Sequence, residues 1–261
     1  MTTTIALSGK GGVGKTSIAA MVIKCLINQN NGPVLAIDAD PSSNLNMALG
    51  LNLDWTVGDI REDMLTQVKS SLLEGGAAMG NLPGGVSKRE YLDYQIRSAV
   101  AEGDEFDLIA MGRSEGPGCY CAVNHNLREV IDTISKNYRY IVIDNEAGME
   151  HLSRRTTRDV QHLLVVSDAT LRGVVAAERI ASLRNELDIH IQNTYLVINR
   201  VNGEIPPILQ ERVRSLPIPL LATIQDDPQL SELEFLGKPM YEANENSTLY
   251  QTVGTMLRQI L

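Results

Sequence analysis

Eight residues near the N-terminus, Gly9-Lys10-Gly11-Gly12-Val13-Gly14-Lys15-Thr16, have the types and spacing needed to hold a chain of phosphates. Glycines at these positions let the backbone wrap tightly, so that successive N–H groups point inward at phosphate oxygens. Lys15 would reach the β- and γ-phosphates, and Thr16 would place a hydroxyl on Mg2+. A helical stretch begins directly afterwards, with Ser17 in its first turn, and its N-terminal dipole favours an anion. The implied chemistry is that of a nucleoside triphosphatase. The same residues also spell GxGxxG through Gly9, Gly11 and Gly14, the dinucleotide fingerprint, and Asp38 ends the next apparent strand at roughly the spacing of a ribose-binding acid. Lys15 and Thr16 have no task in a dinucleotide site, whereas a triphosphatase uses both.

Other candidate residues end apolar strands. The second strand runs into Asp38-Ala39-Asp40-Pro41, which puts Asp40 at the carboxyl edge of a sheet, where it could orient or deprotonate an attacking water. The alternative is a solvated acidic turn. Asp144 closes the run Tyr140–Ile143, as an acid supporting the Mg2+ shell would, and Gly148 just beyond suits a loop that moves when the γ-phosphate leaves. Asn199 closes a further strand and precedes Arg200; its amide pairs a donor with an acceptor and can read a purine edge.

A second cluster is Gly116-Pro117-Gly118-Cys119-Tyr120-Cys121. Cysteines two apart make a strained disulfide with each other. Near a helix N-terminus both thiols shift toward thiolate and can share a soft metal. One chain offers two sulfurs where a closed tetrahedral site needs four ligands, and a two-fold dimer supplies the rest. Incidental small residues or redox chemistry are the other readings of the pair. His125 could add a ligand, but packing or solvation suits it and His151 equally.

These residues need a sheet to carry them. Apolar runs at Ile5–Leu7, Val34–Ile37, Leu108–Met111, Ile141–Ile143, Leu163–Val166, Tyr195–Ile198 and Leu220–Thr223 are mostly continuous, as in parallel strands buried on both faces. Helical patterns lie between them: a capping box at Ser87 opening a helix to about Val100, then Asn126–Lys136, Val174–Leu187 and Ile208–Ser215. The expected fold is α/β, a doubly wound, mostly parallel sheet flanked by helices, with residues 1–261 as one domain. Leu72–Val86, rich in Gly, Ala and Pro, reads as a loop or short insertion. Leu249, Val253, Met256, Leu257 and Ile260 share one face of a closing helix. Arg258 is the sole base on its polar face, which fits core packing better than membrane binding.

Lys+Arg 23 against Asp+Glu 32 leaves a net charge of −9, which opposes nucleic acid or an anionic membrane as main partner. No targeting signal or bilayer-length apolar run is visible, so a cytoplasmic location is expected. Cys25 lies in an apolar helix, and three cysteines make no disulfide framework. Aromatics are only 4%, so the core must be aliphatic and methionine-rich.

With these motifs in hand, the chain resembles the CooC-type ATPases that mature nickel enzymes, within the MinD/nitrogenase-iron-protein class of P-loop proteins. GKGGVGKT is similar to the deviant Walker A of that class, DADP to its first switch and IDNEAGMEHLSR to the second switch of the CooC type. EGPGCYC resembles that family's Cys-X-Cys segment, VINR the base-recognition strand end, and IQDDP, with Asp226, the loop that closes over the base. The likeness runs from Thr4 to about Tyr241. It implies that Lys10 crosses a homodimer to the partner's nucleotide, that Asp40 acts on the water and that Asp144 supports magnesium. It further implies that Asn199 reads adenine and that Cys119 and Cys121 bind nickel, or zinc in vitro, at the dimer interface. The implied clients are carbon monoxide dehydrogenase or acetyl-CoA synthase. Asn44 stands where the nitrogenase iron protein has an acid, so contacts behind the magnesium would differ. Two other readings use the same P-loop: an ATP-driven spatial switch of the MinD or ParA kind, and an ATP-gated iron–sulfur protein.

Overall fold

The computed structural model describes residues 2–29, 32–73, 87–113, 129–148, 159–183 and 189–261. The strands are β1 (Thr3–Gly9), β2 (Val34–Asp38), β3 (Ala101–Glu102), β4 (Phe106–Ala110), β5 (Tyr140–Asp144), β6 (Asp159–Asp168), β7 (His190–Val201) and β8 (Leu220–Gln225). Among the described residues they form one sheet in the order β3-β4-β2-β5-β1-β6-β7-β8. Every pairing is parallel except the short β3–β4 pair. This is the doubly wound α/β architecture expected from the continuous apolar runs. β2 and β5 are buried along their whole length, because neighbours cover them on both faces.

Alternation along each strand feeds two cores. Ile5, Leu7, Val34 and Ala36 pack on one face with helix α1 (Lys15–Asn28) and the C-terminal helix Thr248–Ile260. Ala6, Leu35 and Ile37 face the other core, with Ile60 and Met64 of helix Val57–Leu73, Leu92 and Ile96 of helix Lys88–Ser98, and Val174 of helix Leu171–Leu183. The cores are aliphatic, with Met21, Met64, Met111 and Met256 buried among them.

The Ser87 capping box forms as expected: Ser87 Oγ accepts from the Glu90 N–H while the Glu90 carboxylate accepts from the Ser87 N–H. Two boundaries shift. The helix expected at Val174–Leu187 begins at Leu171, because Thr170 Oγ1 accepts from the Gly173 N–H and starts the turn earlier. Leu72 and Leu73, expected in a loop, end helix Val57–Leu73; residues 74–86 lie outside the described residues. Of the stretch expected to be helical at Asn126–Lys136, residues 129–135 are described and are helical. Helix Pro207–Arg214 matches the Ile208–Ser215 pattern to within a residue.

The C-terminal helix is a core element. Leu249, Val253, Met256 and Leu257 are all buried, and Cys25 Sγ on α1 donates to the Tyr250 carbonyl at 3.6 Å. Lys24 Nζ donates to the carbonyls of Tyr241 and Ala243, both at 2.6 Å, tying α1 to the segment that leads into this helix. Burial pushes the Cys25 thiol up to about 12, so it is chemically inert at neutral pH. No helix among the described residues is long and apolar enough to cross a membrane. Leu257→Ala, at a side chain 1% exposed, should lower the free energy of unfolding in urea. The expected loss is about 2–5 kcal/mol, and a midpoint unchanged from wild type would contradict this packing.

Candidate nucleotide site

Parallel strands end at one edge, and the register decides which side chains meet there. Asp38 of β2 stands opposite Asp144 of β5, Leu7 of β1 stands opposite Asp144, and Asn199 of β7 stands opposite Asp168 of β6. Directly after β1, residues 10–14 form the phosphate loop, and α1 begins at Lys15. Two glycines there are obligatory. A Cβ on Gly9 would lie 2.3 Å from the Val166 carbonyl oxygen of β6. Gly14 has φ +88°, and a Cβ on it would lie 2.4 Å from Asn199 Nδ2.

The loop is braced from the end of β7. Asn199 Nδ2 donates to the Val13 carbonyl at 2.8 Å, and Arg200 Nη1 donates to the Gly12 carbonyl at 3.1 Å. Arg200 holds φ 55°, a left-handed conformation uncommon for a side-chain-bearing residue, and it is this kink at the end of β7 that carries the guanidinium. Val13 is buried, while Lys10, Gly11 and Gly12 are exposed.

Lys15 is 7% exposed, and its ammonium donates to the carbonyls of Lys10, at 3.2 Å, and Gly9, at 3.4 Å. Burial lowers its pKa, opposed by the charges of Asp144, Asp40 and Glu146. The Thr16 hydroxyl donates to Asp144 Oδ2 at 2.6 Å. Because its proton is committed there, the oxygen's lone pairs remain for a cation. Asp144 Oδ1 is buried with no hydrogen-bond partner among the described residues. Burial pushes this carboxyl up to about 7, against the Thr16 hydrogen bond, and the neighbouring charge of Asp38 raises it further. An oxygen-only donor set with one orphaned carboxylate oxygen suits a hard divalent cation such as Mg2+, with Thr16 and Asp144 the groups to hold it.

Asp40 occupies the turn after β2. Its Oδ1 accepts from the Ser42 N–H at 2.9 Å and the Ser42 hydroxyl at 2.6 Å, so the acid is built into the loop. Asn44 Nδ2 donates to Ser42 Oγ at 2.8 Å, within the same turn. The second acidic loop is fastened to the first strand. Asn145 Nδ2 donates to the Leu7 carbonyl, the Gly148 N–H to the Gly9 carbonyl, and Ser8 Oγ to the Gly148 carbonyl. Both backbone polar groups of Gly148 are thus bonded to the last two residues of β1, directly before the phosphate loop.

Asp38 has a different task from the ribose contact that GxGxxG allows. It is fully buried, and its carboxylate accepts from the Asp40 N–H at 3.0 Å and the Leu45 N–H at 2.9 Å, stapling both ends of the Asp40 loop. With both oxygens engaged it has nothing to offer a ribose. Burial pushes it up to about 6, only partly offset by those two N–H groups. Beside the Asn199 amide, Ser17, Arg200, Asp226, Asp227, Leu230 and Leu249 line one cleft. Cys119, Cys121, His125 and His151 lie outside the described residues.

The fold and edge geometry define a P-loop nucleotide-binding domain. The family described as the CobQ/CobB/MinD/ParA nucleotide binding domain matches residues 4–240, and the chain belongs to that family. It is 39% identical over 257 residues to an uncharacterised ATP-binding protein of Methanocaldococcus jannaschii, covering 98% of each chain. It is 30% identical over 204 residues to the carbon monoxide dehydrogenase accessory protein CooC of Rhodospirillum rubrum, covering 72% of this chain and 73% of the other. Among solved structures it is similar in fold to the septum site-determining protein MinD of Pyrococcus horikoshii in complex with Mg-ADP. The TM-score is 0.67 at 21% identity, covering 100% of this chain and 96% of that one.

Asp38 binds its proton more tightly in the folded, nucleotide-free protein than in the unfolded chain. Its contribution is therefore fully present below about pH 4 and is lost as pH rises through about 6. In thermal melts, Asp38→Asn should cost more stability at pH 5 than at pH 8; a cost independent of pH would contradict the assignment.

Proposed function

We propose that this protein is an ATPase of the MinD/ParA class that works as an ATP-dependent metallochaperone. In this reading it binds nickel, or zinc in vitro, through Cys119 and Cys121 at a homodimer interface, and it delivers nickel to carbon monoxide dehydrogenase or acetyl-CoA synthase. The observation that carries the ATPase half is the Thr16–Asp144 hydrogen bond with the orphaned Asp144 Oδ1 beside the buried Lys15. The metal half is supported by the Cys119/Cys121 spacing and by the 30% identity to CooC.

The phosphates of ATP bind along the backbone N–H groups of Gly11, Gly12, Val13, Gly14, Lys15 and Thr16 at the start of α1. Lys15 leaves the Gly9 and Lys10 carbonyls for the β- and γ-phosphate oxygens. Magnesium, when bound, offsets negative charge on those oxygens. Asn199 gives one N–H to the Val13 carbonyl, which leaves its Oδ1 and its second N–H for the base. An acceptor beside a donor suits the adjacent amino group and ring nitrogen of adenine better than the two acceptors that guanine presents on the same edge. Arg200 and Asp226 flank it.

For hydrolysis, Asp40 holds a water in line with the γ-phosphorus and takes its proton as the new P–O bond forms. The bond to the bridging oxygen breaks, and ADP leaves with the electron pair. Lys10, exposed at the loop, stabilises charge on the γ-phosphate of the partner subunit, so ATP clamps the dimer. The clamp sets the spacing of the two Cys pairs. Release of phosphate relaxes the loops of Asp40 and Gly148 and frees the metal for the client.

A spatial switch of the MinD kind has support in 26% identity to MinD of Bacillus subtilis, over 94% of this chain and 85% of that one. The apolar face of helix Thr248–Ile260 is already used in the core, and its last turn carries one base, Arg258. Liposome co-sedimentation with ATP should leave the protein in the supernatant; ATP-dependent pelleting would favour the spatial switch. Two substitutions test the ATPase. Lys15→Ala should abolish turnover, falling by about a thousandfold or more, while Lys10→Ala should bind ATP yet lose both turnover and ATP-dependent dimerisation in light scattering. Full turnover by a monomeric Lys10→Ala protein would overturn the clamp.

A further inference from the structure

Asp227, itself on the wall of the cleft beside Asn199, is bonded beyond what a loop needs. It is the N-cap of helix Pro228–Phe235, with Oδ1 accepting from the Gln229 N–H at 3.0 Å. Its other oxygen leaves this helix altogether. Oδ2 accepts from the Ser247 hydroxyl at 2.7 Å and the Leu249 N–H at 3.0 Å, at the N-terminus of helix Thr248–Ile260. One carboxylate thus closes two helix N-termini twenty residues apart in sequence, and both helix dipoles favour its charge. Burial alone would raise its pKa, but the N–H groups and the hydroxyl outweigh burial and hold it below the ordinary carboxylate range.

What these two helices carry gives the arrangement a consequence. Leu230 and Leu249, one on each helix, are walls of the cleft that also contains Asn199 and Asp226. Asp226 precedes the bridge directly, and its N–H donates to the Val201 carbonyl at 3.0 Å, which anchors the loop to β7 beside Arg200. Helix Pro228–Phe235 has no fully buried residue, so packing alone holds it weakly. The Ser247 hydroxyl has a second bond in the same place, accepting from the Tyr250 N–H at 3.2 Å.

We propose that Asp227 is a positioning residue for the base end of the nucleotide site: by bridging the two helix N-termini it fixes the Asp226 loop and the Leu230 and Leu249 walls, and so sets purine selectivity and affinity without touching the phosphates. This rests on the reading of the Asn199–Asp226 cleft as the base site. The bridge stands apart from Lys15, Thr16, Asp40 and Asp144, so its loss should alter binding rather than the chemical step.

The test compares Asp227→Asn and Asp227→Ser with wild type in steady-state hydrolysis of ATP and GTP with magnesium, alongside thermal melts. Serine retains an N-cap for helix Pro228–Phe235 but is too short to bridge to Leu249, which separates capping from positioning. Both variants should raise KM for ATP about tenfold, keep kcat within about twofold and cut the ATP-over-GTP preference about tenfold, the scale expected for losing charge-assisted hydrogen bonds. If Asp227→Asn fails to fold, Asp227→Ser and Ser247→Ala carry the same test, the latter with a smaller change in the same direction. An Asp227→Ser protein with wild-type KM and selectivity, or one that loses kcat at unchanged KM, would overturn the positioning role while leaving the base site standing. A wild-type protein that treats ATP and GTP alike would instead overturn the base-site reading and the proposal with it.

Discussion

Two buried carboxylates stand opposite each other at the ends of adjacent parallel strands, Asp38 on β2 and Asp144 on β5, and the rest of the site is organised around that juxtaposition. Both are buried, which raises the affinity of each for a proton; the charge of Asp38 raises Asp144 further, and that of Asp40 raises Asp38. The surroundings answer in two ways. Asp38 is satisfied by the N–H groups at the ends of the Asp40 loop and so becomes a structural staple. Asp144 is satisfied on one oxygen only, by Thr16, and keeps the other unpaired. Such an atom is costly in a finished core, and beside Thr16 it fits the cation-binding role proposed for it.

Functional coupling follows from how the loops are tied. The phosphate loop is bonded to the end of β7 through Asn199 and Arg200, and the end of β1 is bonded to Asn145 and Gly148. No one of these segments can move without loading another, which is the property required of a switch that converts loss of a phosphate into a change of shape. The C-terminal helix enters the same network through Asp227 and through its packing on α1. Its Leu249 is one wall of the cleft beside Asn199.

Much of this could be read from the sequence, and the reasons are physical. Strands buried on both faces leave continuous apolar runs, so seven of the eight were visible; β3, Ala101–Glu102, is two residues long and has no pattern to see. The phosphate loop, Asp40, Asp144 and Asn199 were legible as candidates because each stands at or just beyond an apolar run: Asp144 ends β5, the loop follows β1, Asp40 lies in the turn after β2 and Asn199 closes the apolar part of β7. Helix Val57–Leu73 was missed because its mean polarity hides a stripe of Val57, Ile60 and Met64, although Thr56 and Asp59 make reciprocal capping bonds that announce its start. The role of Asp38 was masked by its fit to a ribose-binding acid. Its staple depends on the Leu45 N–H seven residues on, and no local spacing rule encodes that bond. Asp227 was hidden for the same reason, since the partner of its second oxygen is a distant helix.

The proposed function couples a nucleotide site to a shared thiolate site, and one measurement bears on that coupling most directly. The metal-free protein would be titrated with Zn2+ and with Ni2+, with and without ATP, reading mass by light scattering and thiolate–metal charge transfer by absorbance. The account predicts one metal per two chains, with dimerisation, affinity that changes with ATP, and loss of the signal in Cys119→Ser/Cys121→Ser. One metal per monomer, or binding indifferent to the double substitution, would contradict it.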